Sequence, residues 1–156
     1  MIKYFSLISF CLLFFQTACM ASSGFSMENL MDSTQCEEYN LRMQFRGHEI
    51  TGICVINKTN DSNLVGTVIN EFGMKAFDFV YSNGKIKLIN IISFLDKWYI
   101  RKVLKKDLSF IFTYMPKGID FERKYRRISF KENGEVEAVN KKFVIIYSFI
   151  PLKGES

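Results

Sequence analysis

Tyr39-Asn40-Leu41-Arg42-Met43-Gln44-Phe45-Arg46 alternates apolar and polar side chains without an error. A period of two marks a strand with one face buried and the other in water. Gly47-His48 follows as a turn, and residues 50–57 run back. The pattern then repeats. Thr59-Asn60-Asp61-Ser62-Asn63 leads to residues 64–70, Glu71-Phe72-Gly73-Met74 to 76–81, and Asn83-Gly84 to 85–92. Asn-Gly is a strong hairpin signal, because both central residues of a type I′ turn need positive φ. Short strands joined by such turns predict an antiparallel meander.

In a hairpin the paired residue numbers have a constant sum, and paired side chains share a face. A Gly47-His48 loop gives 95, setting Phe45 against Ile50, Leu41 against Cys54 and Tyr39 against Ile56. An Asn83-Gly84 loop gives 167, setting Tyr81 against Ile86 and Phe79 against Leu88. Sums near 121 and 146 for the middle turns place Val65 and Ile69 on the same face as Cys54, Ile56, Phe77 and Phe79. That face also carries Met43 and Gly52, while Asn40, Arg42, Gln44, Thr51, Asp78, Lys85 and Lys87 take the other.

An oily face of this size must be covered or must bind something. The next segment supplies the cover. Between residues 95 and 113 the apolar positions 100, 103, 104, 108 and 111 have helical spacing, with Lys and Arg between them. Pro116 and Gly118 end this helix, and Asp107 is a point where it could break. Strand pattern resumes over 123–130, turns at Asn133-Gly134 and continues to 139. A β-prone run over 143–150 stops at Pro151. The predicted fold is mainly β with a central helix: eight strands in a curved antiparallel sheet, a half-open β-barrel, wrapping one or two helices over residues 38–152.

With 156 residues, 48% hydrophobic and 24% charged, the chain has the size and composition of a single domain. That excludes collagen-like, low-complexity and disordered acidic chains. Lys3 is followed by an uncharged apolar run, 4–15 (YFSLISFCLLFF), as a signal peptide over 1–18 requires. The run is too short to span a bilayer, which takes roughly 20 apolar residues. Gln16-Thr17-Ala18-Cys19 resembles a bacterial lipobox, with Gln16 where Leu or Val is usual. Cys19 is then the acylated residue, or else it is incidental beside an ordinary cleavage site. Residues 19–37 are small, polar and aperiodic, a lipidated tether. No acidic cluster follows Cys19 directly. The expected address is the cell envelope: an exported lipoprotein of the outer membrane facing the periplasm.

Charge is uneven along the chain. Residues 19–95 hold six cations and eight acids, and residues 96–156 fourteen and eight. The basic groups are Arg101, Lys102, Lys105 and Lys106, then Arg123, Lys124, Arg126 and Arg127. Beside Trp98, Tyr99 and Tyr125 such groups could serve nucleic acid, but export argues against that partner. A face toward anionic lipid and a merely solvated face both remain open.

Little catalytic chemistry is legible. His48 has no second histidine and reads as an exposed turn residue; Glu71 and Asp78 could pair as in glycosidases, or cap a turn and lie on the polar face. No Gly-x-Ser-x-Gly, P-loop or dinucleotide fingerprint occurs. Cys36 and Cys54 could form a disulfide in an exported chain, but the register puts Cys54 opposite residue 41, which favours free thiols. The expectation is a non-enzyme without cofactor or metal.

An antiparallel sheet around a helix, carried on a lipid anchor, resembles the LolA/LolB family of bacterial lipoprotein carriers over roughly residues 39–150. The resemblance rests on element order, and it implies an unclosed barrel with a helical plug and an apolar cavity for acyl chains. Asn70-Glu71-Phe72-Gly73-Met74-Lys75-Ala76-Phe77-Asp78-Phe79 also resembles a segment of small uncharacterised lipoproteins of Bacteroidota. Neither resemblance carries over a functional residue. The expected activity is binding of lipid or lipoprotein acyl chains, with Leu41, Met43, Ile69, Phe77 and Phe79 lining a space beneath Trp98, Val103 and Leu104. The alternative is a structural or interaction lipoprotein whose own side chains fill that space.

Overall fold

The computed structural model describes residues 36–59 and 63–152. The expected leader over 1–18, the expected lipidation residue Cys19 and the expected tether up to residue 35 lie outside the described residues. The first strand, β1, is Cys36–Phe45, so it takes in the last two residues of the expected tether. Then come β2 (His48–Lys58), β3 (Leu64–Asn70), β4 (Lys75–Ser82), β5 (Lys85–Ile89) and the helix α1 (Trp98–Tyr114). A 3₁₀ turn (Met115–Lys117), β6 (Phe121–Arg123), β7 (Arg126–Phe130), β8 (Val136–Asn140) and β9 (Ile145–Pro151) complete the order.

All nine strands join one antiparallel sheet, ordered β5-β4-β3-β2-β1-β9-β8-β7-β6. β5 and β6 are its two edges, so this is an open curved sheet and not a closed β-barrel. The ninth strand arises because residues 123–130 are not one strand. Lys124-Tyr125 is a tight turn, with Arg123 paired to Arg126 and Lys124 at φ 58°. Neither residue is a usual turn former, which hid the turn from the sequence pattern.

The hairpin arithmetic is right at one turn, shifted at another and slipped in the middle. Tyr81 pairs with Ile86 and Phe79 with Leu88, around Asn83-Gly84 at φ 50° and 73°. At the first hairpin the turn is Arg46-Gly47, at φ 49° and 82°, and not Gly47-His48. Phe45 therefore pairs with His48, Met43 with Ile50 and Tyr39 with Cys54. A shift of two in the sum leaves every side chain on its own face, so apolar patterning could not detect it. Glycine takes the second loop position in both hairpins.

β3 is slipped by one residue. Cys54 pairs with Val68 and Ile56 with Gly66, which turns Leu64, Gly66 and Val68 inward. Val65 and Ile69 face outward, contrary to the sums near 121 and 146. A bulge between Val68 and Ile69 then pairs Val68 with Phe77 and Gly66 with Phe79, so the two errors cancel and Phe77, Phe79 and Tyr81 do face inward. Gly66 explains the choice: a Cβ there would overlap the Phe79 ring. β3 is apolar on both faces, and its pattern fixes no register.

α1 begins at Trp98 and runs unbroken through Asp107. Leu104, Asp107, Leu108, Ile111 and Phe112 form its buried stripe at helical spacing. Pro116 stops it, and Gly118 takes φ 64°. The stripe packs on the inward face of the sheet, where Cys54, Phe79, Ile128, Tyr147 and Phe149 are all buried with it.

Candidate functional site

Three polar residues break the apolar parity of this interior: Arg126 on β7, Asn140 on β8 and Asp107 on α1. They meet. Arg126 Nε donates to Asp107 Oδ1 at 2.6 Å, Asn140 Nδ2 donates to both Asp107 oxygens at 2.9 Å, and Tyr147 Oη donates to Oδ2 at 3.0 Å. Asp107 is 2% exposed and Asn140 1%. Burial first, then the Asp107 charge, raises the Tyr147 phenol well above its ordinary range and keeps it a donor. Such a carboxylate is satisfied only while every partner stays in place. Asn140 Oδ1 also accepts from the backbone N–H of Lys142 at 3.1 Å, which ties the β8–β9 turn to the same cluster. The network clamps the middle of α1 to three strands.

On one side of the clamp the interior is solid. Phe112 stacks on Phe79 with ring centroids 4.9 Å apart and meets Phe149 edge-on at 6.1 Å. On the other side lies a cleft of about 690 Å³. Its walls are Met43, Phe45 and Ile50 from the first hairpin; Leu95, Trp98, Tyr99, Ile100, Val103 and Leu104 from α1 and its approach; and Phe143, Ile145 and Tyr147 from β9 and its turn. A void of about 30 Å³ adjoins it, sharing Met43, Ile50, Leu95, Leu104 and Tyr147 and reaching Leu41, Val68 and Phe77.

The residues expected around one space are thus divided. Met43, Trp98, Val103 and Leu104 border the cleft, with Trp98 76% exposed at its mouth. Leu41 and Phe77 reach only the small void. Phe79 is 1% exposed in the solid half, and Ile69 is on the opposite face of the sheet.

The cleft has a charge signature. Arg46, Lys102, Lys106, Arg126 and Lys142 line it, and no Asp or Glu among the described residues does. Arg126 is compensated by Asp107; the other four make no ion pair among the described residues. The Arg126 guanidinium lies over the Tyr125 ring, 4.5 Å from its centroid, and Lys142 Nζ is 5.7 Å from the same centroid. Arg126 holds the Tyr125 phenol below its usual value, and Lys106 and Lys142 act in the same direction. Of the other expected basic residues, Arg123 and Lys124 line a neighbouring groove, while Arg101 and Arg127 pair with Asp96 and Glu137. Lys105 is exposed.

The turn at Lys124-Tyr125 and the Asp107 cluster were missed by sequence reasoning. The signal for two of the cluster's members lay in the alternation of each strand, not in the turn: Arg126 is in step with Ile128 and Phe130, and Asn140 with Val136 and Ala138.

The remaining candidates are accounted for separately. Cys36 is exposed and Cys54 buried, both as free thiols, and burial pushes the Cys54 thiol up to about 12. His48 is exposed at the start of β2. Glu71 accepts from Thr51 at 2.5 Å, whereas Asp78 accepts from Thr67, Lys75 and Asn90 at 2.7–3.1 Å. Among the described residues no group of three or more His, Cys, Asp or Glu could hold a metal ion, and no helix is long and apolar enough to cross a membrane. Comparison with known proteins finds neither a matching family model nor a matching curated protein.

Proposed function

We propose that this protein binds lipid acyl chains, free or on a lipoprotein, in the cleft beside the N-terminal half of α1, as a non-catalytic component of the bacterial envelope anchored through Cys19. The observation that carries the reading is the cleft itself: about 690 Å³, walled by aliphatic and aromatic side chains on two sheet segments and a helix. Its size falls in the range of small-molecule pockets, about 300–1,000 Å³. Each buried methylene contributes about 0.8 kcal/mol, so ten give roughly 8 kcal/mol before ordering costs. The order of elements, a meander, a helix and further strands, also resembles that of LolA/LolB carriers.

A second reading has one observation in its favour. The Phe79–Phe112–Phe149 stack leaves half of the interior without space, as in an interaction module whose side chains fill its own core. Native mass spectrometry of the full chain, purified from the membrane that holds it, separates the two. Co-purifying lipid of one mass class supports the carrier, and a clean apo mass with no uptake of added fatty acid supports the module.

A further inference from the structure

We infer that the cleft selects an amphiphile with an anionic head, a carboxylate or a phosphate, held by Lys106, Lys142 and the Tyr125 hydroxyl while the chain runs past Val103 toward Met43. The inference rests on the lipid-binding reading of the cleft and names its ligand class.

Charge compensation is the first argument. Arg126 lines the cleft, but its charge is already met by Asp107 at 2.6 Å, and the pair is fixed by Asn140 and Tyr147. Among the described residues Lys106 and Lys142 have no such partner and no acid lines the cleft. In water an exposed ammonium group is content with its hydration. Once a chain fills the apolar walls, part of that hydration is lost, and only an anion restores it.

Position is the second argument. The cations converge on one aromatic ring: Arg126 and Lys142 lie 4.5 and 5.7 Å from the Tyr125 centroid, and Lys106 shares both adjoining grooves with Tyr125. The positive potential there also appears in the lowered Tyr125 phenol. Trp98 is eight residues from Lys106 along α1, about 12 Å at the helical rise, so it stands apart from the cations gathered at Tyr125. Lys102 and Arg46 also line the cleft, but Arg126, Lys106 and Lys142 are the ones that act on that ring. A ligand with a head and a tail matches that separation, whereas a uniformly apolar one leaves the lysines unmatched. Neutral-headed lipids are discriminated against by the unpaired groups they leave behind, not by shape.

Trp98 is the chain's single tryptophan and lines the cleft, so its emission reports occupancy in the full-length protein. Palmitate, 1-palmitoyl lysophosphatidic acid and hexadecanol share a chain and differ in the head. At least one of the two anions should bind about tenfold tighter than hexadecanol, the magnitude of one charge-assisted contact. The tighter anion identifies carboxylate or phosphate as the source. In the double variant Lys106→Gln/Lys142→Gln the anions should fall to the affinity of hexadecanol, which itself should not change. Lys105→Gln, an exposed helix lysine outside the cleft, should leave all three unchanged. Equal affinity for anions and alcohol in the wild type, or anion affinity intact in the double variant, overturns the head site while lipid binding stands. Failure of all three amphiphiles to bind overturns the lipid-binding reading, and this inference with it.

Discussion

Along α1 the segment from Leu108 to Phe112 and the segment from Trp98 to Leu104 lie over the same inward face of one sheet. The first is packed solid: Phe79 and Phe149 from the sheet enclose Phe112, and Leu108, Ile111 and Phe112 are each at most 3% exposed. The second borders an open cleft, with Trp98 and Tyr99 more than half exposed. Aromatic content does not distinguish the two halves, since both are rich in rings. What differs is where the rings stand. In the packed half they project from strand interiors, and Gly66 makes room for one of them. In the open half the strands offer the slimmer Met43, Ile50 and Ile145 and a single inward ring, Tyr147, whose hydroxyl is held on Asp107, while Phe45, Trp98 and Phe143 stand at turns and helix ends around the rim. A ring fills a core only when the backbone beneath it leads inward.

The largest effects should come from the packed half and its clamp. Phe79→Ala should lose about 3–5 kcal/mol in chemical denaturation, because the Phe112 stack leaves a cavity that cannot collapse. Asp107→Ala should lose a similar 3–5 kcal/mol, since it strands Arg126, Asn140 and Tyr147 together. A Phe79→Ala loss below about 1 kcal/mol would erase the distinction between the halves, because a well-packed ring does not come out that cheaply.

Asp78 should give a smaller, pH-linked effect that is independent of both halves. Burial works to raise its carboxyl, but Asn90, Thr67 and Lys75 outweigh it and hold the folded value below the ordinary one. Its contribution is therefore complete above the unfolded carboxylate range, near 3.9, and is lost as pH falls through the lower folded value. Asp78→Asn should cost about 1–3 kcal/mol at pH 7. Its stability should also fall less than that of the wild type as the solution is acidified below about pH 4. Acid profiles that superimpose would sink this account.

The smallest stability effect should be at the cleft mouth. Trp98→Ala should change stability by no more than about 0.5 kcal/mol, as for other exposed sites. Acyl-chain uptake, followed by native mass spectrometry, should weaken at the same time. A loss of several kcal/mol would mean that the open half is packed after all and would favour the interaction module.

Period and turn chemistry carried most of the fold in advance. The alternation at 39–46, the Asn83-Gly84 turn and the helical spacing at 100–111 led to an antiparallel sheet wrapping one helix. Three features stayed hidden for different physical reasons. β3 slipped because Leu64, Val65, Val68 and Ile69 are apolar on both faces, so no pattern resisted a one-residue error. The Lys124-Tyr125 turn uses residues without turn preference. The site was legible only in part, because periodicity assigns residues to a face and not to a position along it. Met43, Val103 and Leu104 were placed on the correct face, but that could not separate a cleft wall from the interior that holds Phe79. Arg126 and Asn140 were missed because parity was not carried across the second group of strands.

β1 lies between β2 and β9, with Tyr39 paired to Pro151 and Phe45 to Ile145. The sheet is therefore two ribbons, β2 to β5 on one side and β6 to β8 on the other, joined at a seam between the first strand and the last. Pairing strands about a hundred residues apart carries a large loop-closure entropy and slows folding, so the seam should be late in assembly. Until it closes, β1 presents an unpaired edge beside an uncovered apolar face, a combination that favours association with other chains. The cleft depends on the same event, for Met43 and Ile50 come from the first ribbon and its seam strand, and Tyr125, Phe143 and Ile145 come from the far side. The cleft is thus among the last features of the molecule to form.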